Sequence, residues 1–194
     1  TTRALLAANA HVGHSAHAQH SSMLKYVFGV RGGVSVLNLD HTLVALRRAA
    51  ALARAIAASP SAANSATSST NTILFVGTRP ALHALVVDAA LASGAAFLTK
   101  WVGGTLTNAP RVLRRSTASS YSKRPRVPSL VILLDLKNNM HAVRECNQLN
   151  IPIIAICDSD CDASAVQYPI PANDDSLSSV GFIAGILANA IREG

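Results

Sequence analysis

Short apolar runs alternate with longer segments of helical periodicity along most of this 194-residue chain. A continuous apolar run between turn residues is typical of a strand buried on both faces, and apolar residues at every third and fourth position are typical of a helix. The pattern predicts about five buried strands, at 34–39, 72–77, 95–98, 129–135 and 151–157, with a further short one at 166–170. It predicts helices at 43–58, 80–93, 110–117, 139–149 and 176–193.

Strands and helices that alternate in this way favour a parallel sheet with helices on both faces, the doubly wound α/β fold. The length suits a single domain over residues 1–194. Ligands of such sheets gather at the carboxyl ends of the strands. We therefore expect the segments 77–79, 100–108 and 158–162 to share one edge of the sheet.

Local signals predict how some elements begin and connect. Asp40 or Thr42 is expected to cap the helix at 43–58. Residues 59–71 are rich in Ser, Ala and Thr and predict a mobile loop. Residues 109–128 form a basic segment in which the only predicted element is a short helix.

The net charge of +7 is distributed unevenly along the chain. Residues 1–134 contain fourteen Lys and Arg and two acidic residues, a net charge of +12. Residues 135–194 contain three Lys and Arg and eight acidic residues, a net charge of −5. No acidic residue lies between Asp88 and Asp135. A positive field of this kind attracts phosphate or an acidic surface.

The segment 100–108 holds the only tryptophan, Trp101, beside Lys100, a Gly-Gly pair, two threonines and an asparagine. Glycine lets the backbone approach a partner closely, and Thr and Asn side chains bond to phosphate, sugar or nearby backbone. The segment alone is consistent with a recognition loop or with a tight turn whose tryptophan closes a core. Its basic surroundings favour the recognition loop.

No assembled catalytic motif follows the predicted strands. The glycine-rich fingerprints of dinucleotide and mononucleotide sites are absent from the sequence. Residues 158–162 imitate the start of an EF-hand loop, but the glycine and glutamate that such a loop requires are missing. Cys157, Cys161 and His141 could supply a nucleophile and a base, yet nothing in the sequence brings them together, and structural cysteines are favoured. The sequence indicates a binding protein and not an enzyme.

The histidines near the start of the chain are spaced three residues apart, at His11, His14, His17 and His20. Metal binding is not expected there, because zinc sites need Cys or carboxylate ligands nearby and the first acidic residue is Asp40. The odd number of three cysteines fits a reducing compartment. No apolar run approaches the roughly 20 residues of a membrane helix. We expect no metal, no cofactor, no membrane contact and no small-molecule substrate.

Seven short segments stand out in order along the chain. They are 11–14 (HVGH), 26–31 (YVFGVR), 34–40 (VSVLNLD), 73–79 (ILFVGTR), 101–108 (WVGGTLTN), 151–158 (IPIIAICD) and 170–176 (IPANDDS). Each segment is weak evidence alone, but seven in this order are specific. Over nearly its whole length the chain resembles the S2 family of small-subunit ribosomal proteins.

The resemblance implies a flavodoxin-like domain that catalyses nothing and that contacts small-subunit ribosomal RNA and neighbouring ribosomal proteins. The positions that match the family's motifs, together with nearby basic residues, are the expected RNA-binding residues. They are His11, His14, Lys25, Arg31, Arg79, Lys100, Trp101, Thr107, Asn108, Arg111, Arg114, Arg115, Lys123, Arg124 and Arg126.

Some of these residues have a more specific expected role. Arg31 and Arg79 are the better candidates for phosphate contacts, and the Gly-Gly pair is expected to be conformational. Trp101 and Tyr26 could stack on bases, with core packing as the alternative. The acidic residues of the last third are expected to face basic proteins or solvent. They are Asp158, Asp160, Asp162, Asp174 and Asp175.

Bacterial members of the family carry a long helical hairpin after the Leu-Thr-Asn motif, whereas about twenty residues separate Asn108 from Ser129 here. Even wholly helical, these residues would span about 30 Å. The long coiled arm is therefore expected to be lost or much reduced, with basic residues of 111–126 replacing some of its RNA contacts. The missing arm and the segments 26–31 and 78–80 look most like mitochondrial members. This implies a mitochondrial matrix location, with a chloroplast or bacterial source as the alternative.

Two interpretations from other classes remain open at this stage. A nucleotide-using enzyme on the same fold is one, and the missing glycine loops argue against it. A protein-interaction module that needs no RNA is the other, and its associations would survive nuclease treatment. Neither explains the acid-free segment between Asp88 and Asp135 as well as RNA binding does.

Overall fold

The computed structural model of the chain describes residues 1–59, 72–109, 112 and 127–194. The described residues form a three-stranded antiparallel sheet and a five-stranded parallel sheet. The predicted mobile loop, beyond Ser59, and most of the basic segment, including the predicted helix at 110–117, lie outside the described residues.

The antiparallel sheet follows a short helix, α1 (Thr2–Ala7), and consists of β1 (Val12–Ser15), β2 (Val27–Arg31) and β3 (Val34–Leu37) in the order β1-β3-β2. The apolar run at 34–39 was expected in the parallel sheet, and that prediction was wrong. Gly32 and Gly33 have φ angles of +59° and +79° and form a tight two-residue turn. Such a turn matches the twist of a hairpin, so β3 folds back onto β2.

The helix α2 (Leu39–Ala58) begins four residues earlier than predicted. Its cap is Asn38, whose side chain accepts a hydrogen bond from the backbone N–H of Asp40 at 3.0 Å. Thr42 is buried and donates its hydroxyl to the carbonyl of Pro171 at 2.5 Å. Neither Asp40 nor Thr42 is therefore the cap, and Thr42 instead ties α2 to the end of the parallel sheet.

The parallel sheet consists of β4 (Ile73–Val76), β5 (Ala96–Leu98), β6 (Leu130–Leu133), β7 (Ile153–Cys157) and β8 (Tyr168–Pro171). The strand order is β5-β4-β6-β7-β8, and all four pairings are parallel. This is the flavodoxin-like order, in which the chain reverses its direction of travel across the sheet between β4 and β6. The prediction of about five parallel strands is confirmed, with the short run near 168–171 in place of the run at 34–39.

Side chains of the sheet alternate between two buried clusters. On one face, residues such as Phe75 and Ile132 pack against α2, α3 (His83–Ser93) and α5 (Leu177–Arg192). On the other face, residues such as Val76 and Leu133 pack against α4 (Met140–Gln148) and against Met23 and Leu37 of the N-terminal region. The doubly wound architecture is confirmed, and the antiparallel sheet helps to cover its second face. None of the helices in the described part of the chain is long and apolar enough to cross a membrane.

Candidate nucleic-acid interface

The carboxyl ends of the parallel strands form one edge of the molecule. Segments 77–79, 100–108 and 158–162 follow β4, β5 and β7, so they lie along this edge as predicted. The segments after β6 and β8 join them. Polar and charged side chains at this edge form ion pairs and hydrogen bonds with one another.

Residues 99–109, which we call the Trp101 loop, fold around a single buried carboxylate. Glu145 Oε1 accepts hydrogen bonds from Trp101 Nε1 at 3.0 Å and from the backbone N–H of Gly104 at 2.9 Å. Glu145 Oε2 accepts from the backbone N–H groups of Leu106 at 2.9 Å and Thr107 at 3.3 Å. The carboxylate therefore fixes both the backbone of the loop and the edge of the tryptophan ring.

The charge state of Glu145 follows from these contacts. Burial favours the neutral acid, but the donors of Leu106, Trp101, Gly104 and Thr107 outweigh burial and lower the pKa of Glu145 below its usual value. Sequence reasoning missed this residue, which lies about forty positions beyond the loop. The available signal was a glutamate on the apolar face of a predicted helix, where a buried charge requires partners.

The two glycines of the loop have different roles. Gly104 has a φ of +86°, and a Cβ at this position would lie 3.2 Å from Asn108 Cβ. Gly103 has no positive φ, and a Cβ there would meet nothing within 4 Å. The expected conformational role is therefore confirmed for Gly104, whereas Gly103 borders open space.

The acidic cluster, which comprises Asp158, Asp160, Asp174 and Asp175, lies at the ends of β7 and β8. Arg79 donates to the Asp175 carboxylate and to the backbone carbonyl of Asp174. Lys137 Nζ lies 2.5 Å from Asp160 Oδ2. His14 Nδ1 lies 3.2 Å from Asp158 Oδ2, and His14 Nε2 lies 3.2 Å from Asp175 Oδ2. The chain thus supplies three basic side chains, Arg79, Lys137 and His14, to its own carboxylates.

Burial and neighbouring charges raise the pKa of Asp174, in the acidic cluster, and of His14, which contacts that cluster. Burial, followed by the neighbouring Asp158 charge, raises the pKa of Asp174 to about 7. For His14, burial lowers the pKa, but the carboxylates of Asp158, Asp160 and Asp175 outweigh it and raise the value overall. Both groups therefore hold protons more tightly in the folded chain than in the unfolded chain.

The ion pairs join basic residues of the first part of the chain to acidic residues of the last part, so charge along the sequence does not give the charge at the surface. All five carboxylates that were expected to face proteins or solvent contact side chains of their own chain. Arg79, a candidate for phosphate contact, directs its guanidinium at Asp174 and Asp175, and its side chain is 25% exposed. An RNA contact by Arg79 or His14 stays a prediction, and it would compete with these internal pairs.

The surroundings of His14 differ from those that the sequence predicted. Ligand atoms of His14, Asp158 and Asp174 lie within 4.8 Å of one another, because the ends of β7 and β8 bring in carboxylates that are distant in sequence. The premise that no carboxylate lies nearby was therefore wrong. Arg79 already contributes positive charge to this group, and the absence of a metal stays a prediction.

The hairpin of β2 and β3 places two predicted residues at the surface. Arg31 is exposed beside the Gly-Gly turn, and Lys25 is exposed with its Nζ 4.9 Å from the centre of the Tyr26 ring. Neither forms an ion pair with a residue that the structure describes. Tyr26 itself is half-buried against the second core cluster. Phe28, which sequence reasoning missed, is 79% exposed.

The remaining predicted residues divide into three groups. Lys100 is exposed and forms no ion pair within the described part of the chain, while Thr107 and Asn108 lie at the outer side of the Trp101 loop. His11 is half-buried, and its backbone carbonyl accepts a bond from the N–H of Leu37. The third group lies outside the described residues: Arg111, Arg114, Arg115, Lys123, Arg124 and Arg126.

The three cysteines are buried free thiols. Burial raises the pKa of Cys146 and of Cys161 to about 12 and places the pKa of Cys157 well above its usual value. Such thiols stay protonated at neutral pH and are poor nucleophiles. This agrees with the structural role that was predicted for them.

Comparison with known proteins identifies the class to which this binding domain belongs. A family model described as ribosomal protein S2 matches residues 5–124 and 111–194. The small ribosomal subunit protein uS2m of Neurospora crassa is 36% identical over 206 aligned residues, which cover 98% of this chain and 46% of that protein. The uS2m protein of Schizosaccharomyces pombe is 34% identical, with coverage of 97% and 73%. The uS2 protein of Rubrobacter xylanophilus is 30% identical, with coverage of 99% and 71%.

The chain belongs to the ribosomal protein S2 family. It spans about half the length of the Neurospora protein and nearly three quarters of the other two. Membership of this family makes the chain a ribosomal protein and not an enzyme.

Proposed function

We propose that this chain is a structural constituent of the small subunit of a mitochondrial ribosome, where it binds ribosomal RNA and neighbouring ribosomal proteins. The observation that carries the proposal is the family match over almost the whole chain. The chain catalyses nothing in this role. Its contribution is to present a preformed surface to the assembled subunit.

The exposed basic residues support contact with RNA. Lys25, Arg31 and Lys100 are exposed and form no ion pair with described residues, so their charge is available to phosphates. Each phosphate contact by Lys or Arg displaces counterions and adds about 0.7 to 0.9 to the slope of log affinity against log salt. We propose that these residues contribute to RNA binding together with the basic residues of 111–126.

Two observations support a mitochondrial location in the matrix. The relatives from Neurospora crassa and Schizosaccharomyces pombe are uS2m proteins, at 36% and 34% identity. The family model also matches in two pieces that meet at 111–124, within the short basic segment. A break there is expected when a long arm has been lost. The bacterial relative at 30% identity keeps a bacterial or chloroplast ribosome as the alternative source.

Sedimentation of an organelle lysate through sucrose gradients tests the proposal. The lysate comes from purified mitochondria, and the chain is detected at low and at high salt beside other small-subunit proteins. We expect it to travel with the mitochondrial small subunit at low salt and to be released at high salt, because phosphate contacts weaken as salt rises.

Three results would contradict the proposal in different ways. Migration as a free chain at low salt, while other small-subunit proteins remain bound, would remove the ribosomal role. Retention in a complex after complete nuclease digestion would indicate the RNA-independent interaction module. Absence from mitochondria, with recovery in another ribosome, would correct the location alone.

A further inference from the structure

A small crevice lies where the chain reverses its direction across the parallel sheet. It has a volume of about 200 Å³ and lies at the carboxyl ends of β4, β5 and β6. Doubly wound domains bind their ligands at such a reversal point. The crevice is smaller than the roughly 300 Å³ at which sites for cofactors and drug-sized ligands begin, so its capacity suits one small group.

Basic and hydroxyl-bearing side chains border one part of this crevice. Lys100, His141 and Thr78 line it, and the N-terminal end of α4 adjoins them. Lys100 and His141 are exposed and have no carboxylate partner among the described residues. This part has the composition of a phosphate site.

Trp101 lines the crevice, and its side chain is half-buried against the second core cluster. Its Nε1–H is already donated to Glu145, so the ring can offer a ligand only its carbon surface. The hydrogen bonds between Glu145 and the Trp101 loop hold that ring in position before any ligand arrives. A fixed aromatic face beside a basic group is the arrangement on which single-stranded nucleic acids stack their bases.

A buried acceptor in the wall of the crevice has no partner. Asn139 lines the crevice, is 1% exposed, and its Oδ1 accepts no hydrogen bond from the described residues. Its Nδ2 donates to the carbonyl of Asp135 at 2.8 Å and to the Asp135 carboxylate, which fixes the orientation of the amide. This oxygen is itself covered by the wall, so a ligand in the crevice does not contact it.

We propose that the crevice receives the base of one unpaired nucleotide of the RNA against Trp101, while the phosphate of that nucleotide lies outside the crevice at the exposed Lys100 and His141. The inference rests on the proposed function, because it takes RNA as the source of the nucleotide. It adds a recessed, base-accepting site to a function that otherwise needs only surface charge.

The only tryptophan of the chain is itself the probe for this proposal. The full chain is titrated with a short single-stranded oligoribonucleotide that carries a fluorescent label. Binding is followed by anisotropy of the label, and stacking is followed by quenching of Trp101 emission. We expect both signals to saturate together. Uridine monophosphate and inorganic phosphate, each titrated alone, distinguish a free ligand from a nucleotide within RNA.

Two variants distinguish RNA binding in the crevice from RNA binding through surface charge elsewhere on the chain. Gly103→Leu places a side chain into the crevice at a position where a Cβ meets nothing within 4 Å, so the fold should be retained. We expect this variant to lose the quenching and to bind RNA about tenfold more weakly, as for the loss of one stacked base. Arg47→Ala removes an exposed charge on α2 and should leave the amplitude of quenching unchanged.

The remaining outcomes distinguish failure of the crevice site alone from failure of the proposed function. RNA binding by anisotropy with no change in Trp101 emission would overturn the crevice site and leave the proposed function standing. Quenching by uridine monophosphate at the same affinity as by RNA would assign the crevice to a free nucleotide and would overturn the inference. No RNA binding even at low salt would contradict both.

Discussion

The carboxyl ends of the parallel strands form an edge whose two halves differ in whether their charged side chains are paired within the chain. At the ends of β7 and β8, the carboxylates of the acidic cluster contact Arg79, His14 and Lys137 of the same chain. We call this the paired half. At the ends of β4, β5 and β6, Lys100 and His141 border a crevice and form no ion pair within the described residues. We call this the open half.

The contrast shows that charge along a sequence differs from charge at a surface. The sequence assigns Arg79 and Lys100 to the same basic region, but the fold gives Arg79 two carboxylate neighbours and leaves Lys100 exposed. A cation in an internal pair mainly serves the fold, whereas an exposed one is available to phosphate. The open half is therefore the better candidate for contact with RNA.

The largest expected effect comes from Glu145, whose carboxylate holds the Trp101 loop in the open half. Glu145→Ala would leave Trp101 Nε1 and the backbone N–H groups of Gly104 and Leu106 without their acceptor. We expect the free energy of unfolding to fall by about 3 kcal/mol or more, because buried donors without partners are costly. Urea denaturation measures the loss, and Trp101 emission reports whether the loop has opened.

Asp88→Asn is the matched control for this change. Asp88 is exposed on α3 and forms no ion pair within the described part of the chain, so its loss should change stability by less than about 0.5 kcal/mol. Equal stability of Glu145→Ala and Asp88→Asn would show that the carboxylate does not hold the loop.

The paired half should respond to loss of its central cation. Arg79→Met would leave Asp158 and Asp174 buried with less compensating charge. We expect a loss of about 2 kcal/mol, below the value for a fully buried pair because the Arg79 side chain is partly exposed. Thermal and urea unfolding of Arg79→Met and Arg47→Met are compared, and Arg47 is exposed without an ion pair to any described residue. Similar losses in both variants would mean that the internal pairs contribute nothing.

The two glycines of the Trp101 loop give a smaller and more local contrast. Gly104→Ala places a Cβ in a left-handed conformation, 3.2 Å from Asn108 Cβ, and should lower stability by about 1 to 2 kcal/mol. Gly103→Ala should be nearly neutral, because its Cβ meets open space. Denaturation midpoints of the two variants measure the difference, and a reversed order would contradict the loop geometry.

The smallest expected effect is the dependence of stability on pH in the paired half. Asp174 has a folded pKa of about 7, above that of a free carboxyl, so the folded state binds its proton more tightly. His14, whose pKa is also raised, acts with the same sign. Stability should therefore fall as pH rises from about 5 to about 8. The lowered pKa values of Asp160 and Asp162 act in a more acidic range.

Asp174→Asn removes one of these titrations. We expect the decrease in stability between about pH 5 and about pH 8 to become smaller in this variant. Unfolding curves across the range measure this slope for the original chain and the variant. An unchanged slope would show that Asp174 does not titrate in this window.

The fold was largely predictable because its signals are local. Four of the five parallel strands, β4 to β7, are continuous apolar runs, and apolar residues of the intervening helices recur at helical spacing. The run at 34–39 was misplaced because an apolar strand gives no indication of its partner. The Gly32-Gly33 turn, which directs it back onto β2, was the available signal.

The candidate site was less predictable because its determinants are distant in sequence. Trp101 and Lys100 were found from their own segment, but Glu145, which positions Trp101, lies on another helix. Arg79 was assigned to phosphate because its two carboxylate partners come from the end of β8. Residue types can suggest chemistry, but only tertiary contacts show which charges are already compensated.

The most direct test of the difference between the halves is a map of RNA contacts in the assembled subunit. Small subunits that contain this chain are irradiated with ultraviolet light, and RNA-linked peptides are identified by mass spectrometry. We expect cross-links at Lys100 and Trp101 and none at Arg79 or the acidic cluster. Cross-links at Arg79 or the acidic cluster, with none at Lys100 or Trp101, would contradict this account.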